Sequence, residues 1–72
     1  MSETYTSDIQ QAAFYETVGY PVKRLEGSGA RRVFVFSEVP PDVVADYHRG
    51  TRPVAPADLF SAYRRMKRLL FS

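Results

Sequence analysis

The sequence predicts a small α+β domain: a helix, an antiparallel β-hairpin, a short helix and a C-terminal amphipathic helix. Three observations carry that prediction. Apolar runs flank the glycine-rich stretch Gly27-Ser28-Gly29, the pattern of two strands joined by a tight loop. Pro21, Pro41 and Pro56 stand at the borders of helix-forming segments, where proline stops or starts a helix. Leu59, Ala62, Tyr63, Met66, Leu69 and Leu70 recur at helical spacing.

The first helix is predicted over "TSDIQQAAFYETVGYP". Ser7 and Gln10 fit a capping box, and Asp8 suits the positive end of the helix dipole. Gly19 fits the left-handed position after the helix, and Pro21 prevents continuation. Its apolar residues make two patches rather than one stripe. Ile9, Ala12 and Ala13 share one side, and Phe14 and Val18 share another. One of the two is expected to face something other than the main core.

"VKRLEGSGARRVFVFSE" follows as the hairpin, its glycines supplying positive φ. Alternation puts Phe34 and Phe36 on one face and Val33 and Val35 on the other. The Phe pair is expected to be buried between the hairpin and the third helix. The Val pair has three candidate covers: another strand, a neighbouring chain, or nothing. "PPDVVADYHRG" is predicted as the short helix, with Pro41 at its first position, Val43, Val44 and Tyr47 as its buried stripe, and Gly50 as its end. "TRPVAP" crosses in extended form with Val54 as its anchor. Pro56 then opens the third helix, with Asp58 in its first turn.

Seventy-two residues make one domain, 1–72, with 1–6 expected to be flexible. A chain this short gains little more from burial than ordering costs it, and with no cysteine there is no disulfide to help. The 44% apolar content and ten aromatic residues argue against disorder. No stretch is long and apolar enough to cross a membrane. The polar, acidic start "MSETYTSD" is unlike a secretory signal, so the expected location is cytoplasmic. The net charge of +2 is unevenly placed. Residues 1–22 hold three acids and no Lys or Arg, whereas "RRMKR" at 64–68 holds four bases and no acid.

The ordered motifs are Tyr5-Thr6-Ser7-Asp8, Ala12-Ala13, Gly19, Phe34-Val35-Phe36, Tyr47-His48-Arg49-Gly50, Val54, and Ala62-Tyr63-Arg64-Arg65-Met66-Lys67. In their order and spacing, the chain resembles a family of short domains of unknown function found in phages, prophages and other mobile elements. The resemblance spans nearly the whole chain. Pro40-Pro41 departs from the family pattern. A mobile-element setting is implied, and no activity or catalytic residue is carried over.

The residues themselves argue against catalysis. His48 is the only histidine, and Asp46, two positions away, points in another direction on a helix. A metal site needs two or three converging ligands. Asp8, Asp42 and Asp58 sit at helix starts, where capping and the dipole account for them. No serine stands in the Gly-x-Ser-x-Gly spacing of a nucleophile elbow. "GSGARR" lacks the Gly-Lys-Ser/Thr ending of a phosphate-binding loop.

The expectation is therefore a non-enzymatic chain with no cofactor, metal, membrane or small-molecule substrate. Its first expected function is protein interaction for a phage or mobile element, with a second copy of itself or a host protein as partner. Phe14, Val18, Val33 and Val35 are the candidate contacts. The alternative is nucleic-acid binding through a basic surface. There the candidates for phosphate are Arg31, Arg32, Arg64, Lys67 and Arg68, with Lys23 and Arg24 on the neighbouring strand.

Overall fold

The Val-Phe-Val-Phe run becomes the central strand of a three-stranded antiparallel sheet. The computed structural model describes residues 2–29 and 31–71. Among them are β1 (Thr4–Thr6), α1 (Ile9–Thr17), β2 (Val22–Glu26), β3 (Val33–Phe36), α2 (Pro41–Arg49) and α3 (Pro56–Leu70). The sheet order is β1-β3-β2. This is the predicted α+β class with one strand added. Within the stretch expected to be flexible, Thr4–Thr6 pairs with β3, Thr4 opposite Phe36 and Thr6 opposite Phe34. Met1, at the head of that stretch, lies outside the described residues.

The hairpin follows its sequence signals. Gly27 and Gly29 take φ of 86° and 60°, and the Arg31 amide donates to the Ser28 carbonyl at 3.1 Å. A Cβ at Gly27 would stand 2.0 Å from the Arg31 carbonyl oxygen. Val22 and Leu25 are three apart, so strict alternation would send them to opposite faces. A bulge between Val22 and Arg24 absorbs the odd residue, Lys23. Both apolar side chains then pack against the core, and Arg24 turns to the outer face opposite Val35.

The helix boundaries are set locally. Asp8, not Ser7, caps α1, accepting from the Gln10 amide at 2.8 Å and the Gln11 amide at 3.4 Å. The reason is β1. Thr6 ends that strand and its Oγ1 accepts from the Asp8 amide at 3.1 Å, so the helix begins one residue later than expected. At the other end the Tyr20 amide donates to Tyr15 and the Gly19 amide to Glu16, closing a Schellman turn with Gly19 at φ 106°. The same pair of bonds closes α2, from Thr51 to Asp46 and from Gly50 to Tyr47. Pro41 and Pro56 open α2 and α3 as predicted.

Packing departs from expectation at α1. Ala12, Ala13, Phe14 and Tyr15 are all buried. At about 100° per residue, four consecutive positions reach every side of a helix. Both apolar patches therefore face the chain's own core. The Tyr15 ring meets Phe36 edge-on at 5.2 Å, and Phe14 lies 5.4 Å from Tyr47 of α2. Small residues, Ala12 and Ala13 on α1 and Ala62 on α3, let these two helices make the most extensive helix contact in the fold. Phe34 and Phe36 are fully buried as expected. However, the aromatic side chain against Phe36 comes from α1, and α3 packs chiefly behind α1. Val54 reaches the edge of the same core.

Replacing Phe36 by Ala leaves a cavity under Tyr15 and should destabilise the domain by about 3–5 kcal/mol. A melting temperature within a few degrees of wild type would contradict this packing.

Candidate functional site

An open apolar groove of about 400 Å³ lies where α1, α2 and α3 meet. Gln10, Ala13 and Phe14 form its floor, Tyr47 one wall, and Leu59, Phe60 and Tyr63 the other. Three causes shape it. Ala13 is too short to fill the space between α2 and α3. Tyr47 is tied back, its hydroxyl donating to Asp8 Oδ2 at 3.3 Å. Burial first, then the charge of Asp8, raises the Tyr47 phenol above its usual value. Finally, Phe60 stands at the rim and is 68% exposed. Phe60 was not among the residues expected to meet a partner. Its spacing gave the only signal: four residues before Arg64 on an amphipathic helix, it falls on the outer side, where a phenylalanine is out of place.

The four residues expected to meet a partner are placed differently. Phe14 is 7% exposed and Val35 fully buried, within this chain's own fold. Val18 is half-buried against the core and Val33 half-buried at the end of β3. The outer face of the sheet has a cover of its own. Val35 stands between Tyr5 of β1 and Arg24 of β2. Glu3 ties the two together, accepting from the Tyr5 hydroxyl at 3.0 Å and from the Arg24 guanidinium at 2.7 and 2.8 Å. Lys23 Nζ adds a bond to Glu3 at 2.9 Å, and Arg24 also pairs with Glu26. For Val35 the cover is the added strand β1 together with β2, roofed by an ionic cluster, whereas Val33 lies beyond the reach of β1 and stays half-buried.

The basic residues divide into groups. Lys23 and Arg24 belong to the cluster over Val35. Arg65 pairs with Glu16, and Arg52 with Asp46 at 2.9 Å. Arg32 donates to the Leu69 and Leu70 carbonyls at 3.3 Å each, which docks the hairpin onto the last turn of α3 and satisfies its terminal acceptors. Arg31 and Arg68 are exposed near that junction. Arg64 and Lys67 look elsewhere, along the outer side of α3, and Lys67 Nζ lies 5.8 Å from the Tyr63 ring centre, over the groove wall. The five candidate phosphate contacts thus form two groups, with Arg32 engaged in folding.

No catalytic constellation is assembled among the described residues. His48 is exposed, its ring 5.4 Å from Tyr47. No group of three metal-ligating side chains comes together, and no helix is long and apolar enough to cross a membrane, among the described residues. No family model, curated protein or solved structure matches the chain.

The ionic cluster predicts a pH response. Arg24, then Lys23, then Tyr5 hold the Glu3 carboxyl well below its usual 4.5. A carboxyl depressed by folding stabilises the fold above that value, and its contribution is lost as pH falls below it. Glu3→Gln should therefore lose less of its melting temperature than wild type between about pH 6 and pH 3. Equal acid sensitivity in the two proteins would contradict the cluster.

Proposed function

We propose that the chain is a non-catalytic, cytoplasmic protein-interaction module, working in the mobile-element setting its sequence resemblance implies. Inhibition of a host protein is the form of this function that fits such a setting. One observation carries the reading: a largely exposed phenylalanine, Phe60, at the rim of an apolar groove that the chain itself leaves open. Exposed aromatics beside desolvated pockets are where binding energy concentrates in protein interfaces. A small-molecule site would need several convergent polar groups, and here Tyr47 is already bonded to Asp8. The sheet, whose second face is filled at Val35, gives no support to self-association through that residue.

Phe60→Asp tests it. The side chain is exposed, so stability should change by no more than about 0.5 kcal/mol. Wild-type and Phe60→Asp baits, exposed in parallel to a bacterial extract, should differ by the loss of a defined protein from the variant. The same proteins on both baits would contradict the reading.

A second reading, a nucleic-acid-binding accessory protein, is favoured by one observation. Arg31, Arg64 and Arg68 have no ion pair among the described residues. If Arg64, Lys67 and Arg68 meet phosphates, changing all three to Gln should flatten the salt dependence by about two to three log units per log unit of salt. No retardation of DNA or RNA by wild-type protein at low salt would dispose of it.

A further inference from the structure

We infer that the segment of the partner seated in this groove is an acidic amphipathic helix, its apolar anchors between α2 and α3 and its carboxylates against Arg64 and Lys67. This rests on the protein-interaction reading and deepens it. Phe60, Arg64, Lys67 and Phe71 are spaced four, three and four apart, which aligns them along the side of α3 opposite the buried Ala62 and Met66. Phe71 is 80% exposed and Phe60 68%. The stripe runs about 16 Å at 1.5 Å per residue, long enough to lie along three turns of a docked helix.

Charge selects the occupant. The chain pairs Lys23, Arg24, Arg52 and Arg65 with its own acids. Beside the groove it leaves Arg64 without an ion pair among the described residues and Lys67 over the Tyr63 ring. No acid among the described residues lines the groove. The nearby Asp8 carboxylate is already bonded to the first amides of α1 and to Tyr47. A positively charged margin around an apolar groove is complementary to an acidic partner. A second copy docked through the same side of α3 would set Arg64 and Lys67 against their own counterparts around a two-fold axis, and like charges there oppose association. Single-stranded nucleic acid stacks successive bases on successive aromatic platforms. Phe60 and Phe71, about 16 Å apart at the helical rise, do not form such a track.

Two synthetic helical peptides test this, measured by fluorescence anisotropy at low salt. They share Leu anchors at i, i+3, i+4 and i+7, and carry either Glu or Lys at every other exposed position. Wild-type protein should bind the Glu peptide at least about tenfold more tightly, a difference of about 1.4 kcal/mol. R64E/K67E should reverse the preference, and Phe60→Asp should weaken binding of the Glu peptide. If both peptides bind equally and the charge swap changes nothing, acidic selection is overturned while the groove stands. If neither binds, the helical acidic occupant is overturned. If peptides bind but Phe60→Asp has no effect, the protein-interaction reading itself falls. A single-stranded oligonucleotide bound more tightly than the Glu peptide, and lost in R64E/K67E, would assign the surface to nucleic acid instead.

Discussion

The fold depends on a nine-residue helix whose central turn, Ala12 to Tyr15, is buried on every side. α1 lies between the sheet and the pair α2 and α3, and each direction around it meets a different partner: Tyr15 the sheet, Phe14 α2, and the alanines α3. The arrangement works because side-chain size changes around the helix. Alanines where α1 meets α3 permit close approach, and aromatics fill the wider gaps to the sheet and to α2. A helix so placed must also satisfy its polar atoms. The Thr6 hydroxyl donates to Gln11 Oε1 at 3.0 Å, and Gln11 Nε2 donates to the Tyr15 hydroxyl at 2.6 Å. No buried side-chain nitrogen or oxygen among the described residues is left without a partner. This chain of bonds begins in β1, so the added strand and the central helix stabilise one another. Thr4 extends the tie, accepting from the Val39 amide at 2.9 Å as the chain leaves β3.

Burial of α1 has a consequence for function. A short chain has little apolar surface to spare, and here most of it is internal. Phe14 and Val35 look like contact residues when the sequence is laid out linearly, but Phe14 closes the core and Val35 is buried on the outer face of the sheet between Tyr5 and Arg24. Among the described residues, the two most exposed large apolar ones, Phe60 and Phe71, are on the far side of α3, and Arg64 and Lys67 stand along the same side. The groove and its charge are thus what the packing of α1 leaves over.

The sequence reading recovered the elements with strong local signals. Positive-φ glycines at 27, 29 and 50, prolines at 41 and 56, and the periodic apolar residues of α3 placed the hairpin and the two later helices. β1 was not legible. Thr4-Tyr5-Thr6 is too short to declare itself, and it is a strand because β3 offers it a free edge and Glu3 ties it across to Arg24. Missing β1 shifted the cap of α1 from Asp8 to Ser7 and left Val35 without its cover. That Phe14 is buried in the chain's own core and Val18 half-buried against it was not legible for a related reason. Periodicity counts faces but does not show how many elements surround a helix, and α1 has three. The groove was half legible: Arg64 and Lys67 were singled out for their charge, whereas Phe60 became visible only once α3 was oriented by Ala62 and Met66.

A helix at the centre of the packing should be the last element to open. Native-state amide hydrogen exchange measures this directly, because groups released only by global unfolding exchange with the full free energy of unfolding. The amides from Ala13 to Glu16 should exchange at that limit, as determined by denaturant melting of the same protein. Exchange of these amides through a partial opening, with β3 or α3 still protected, would mean that α1 is peripheral and would contradict its central place in the fold.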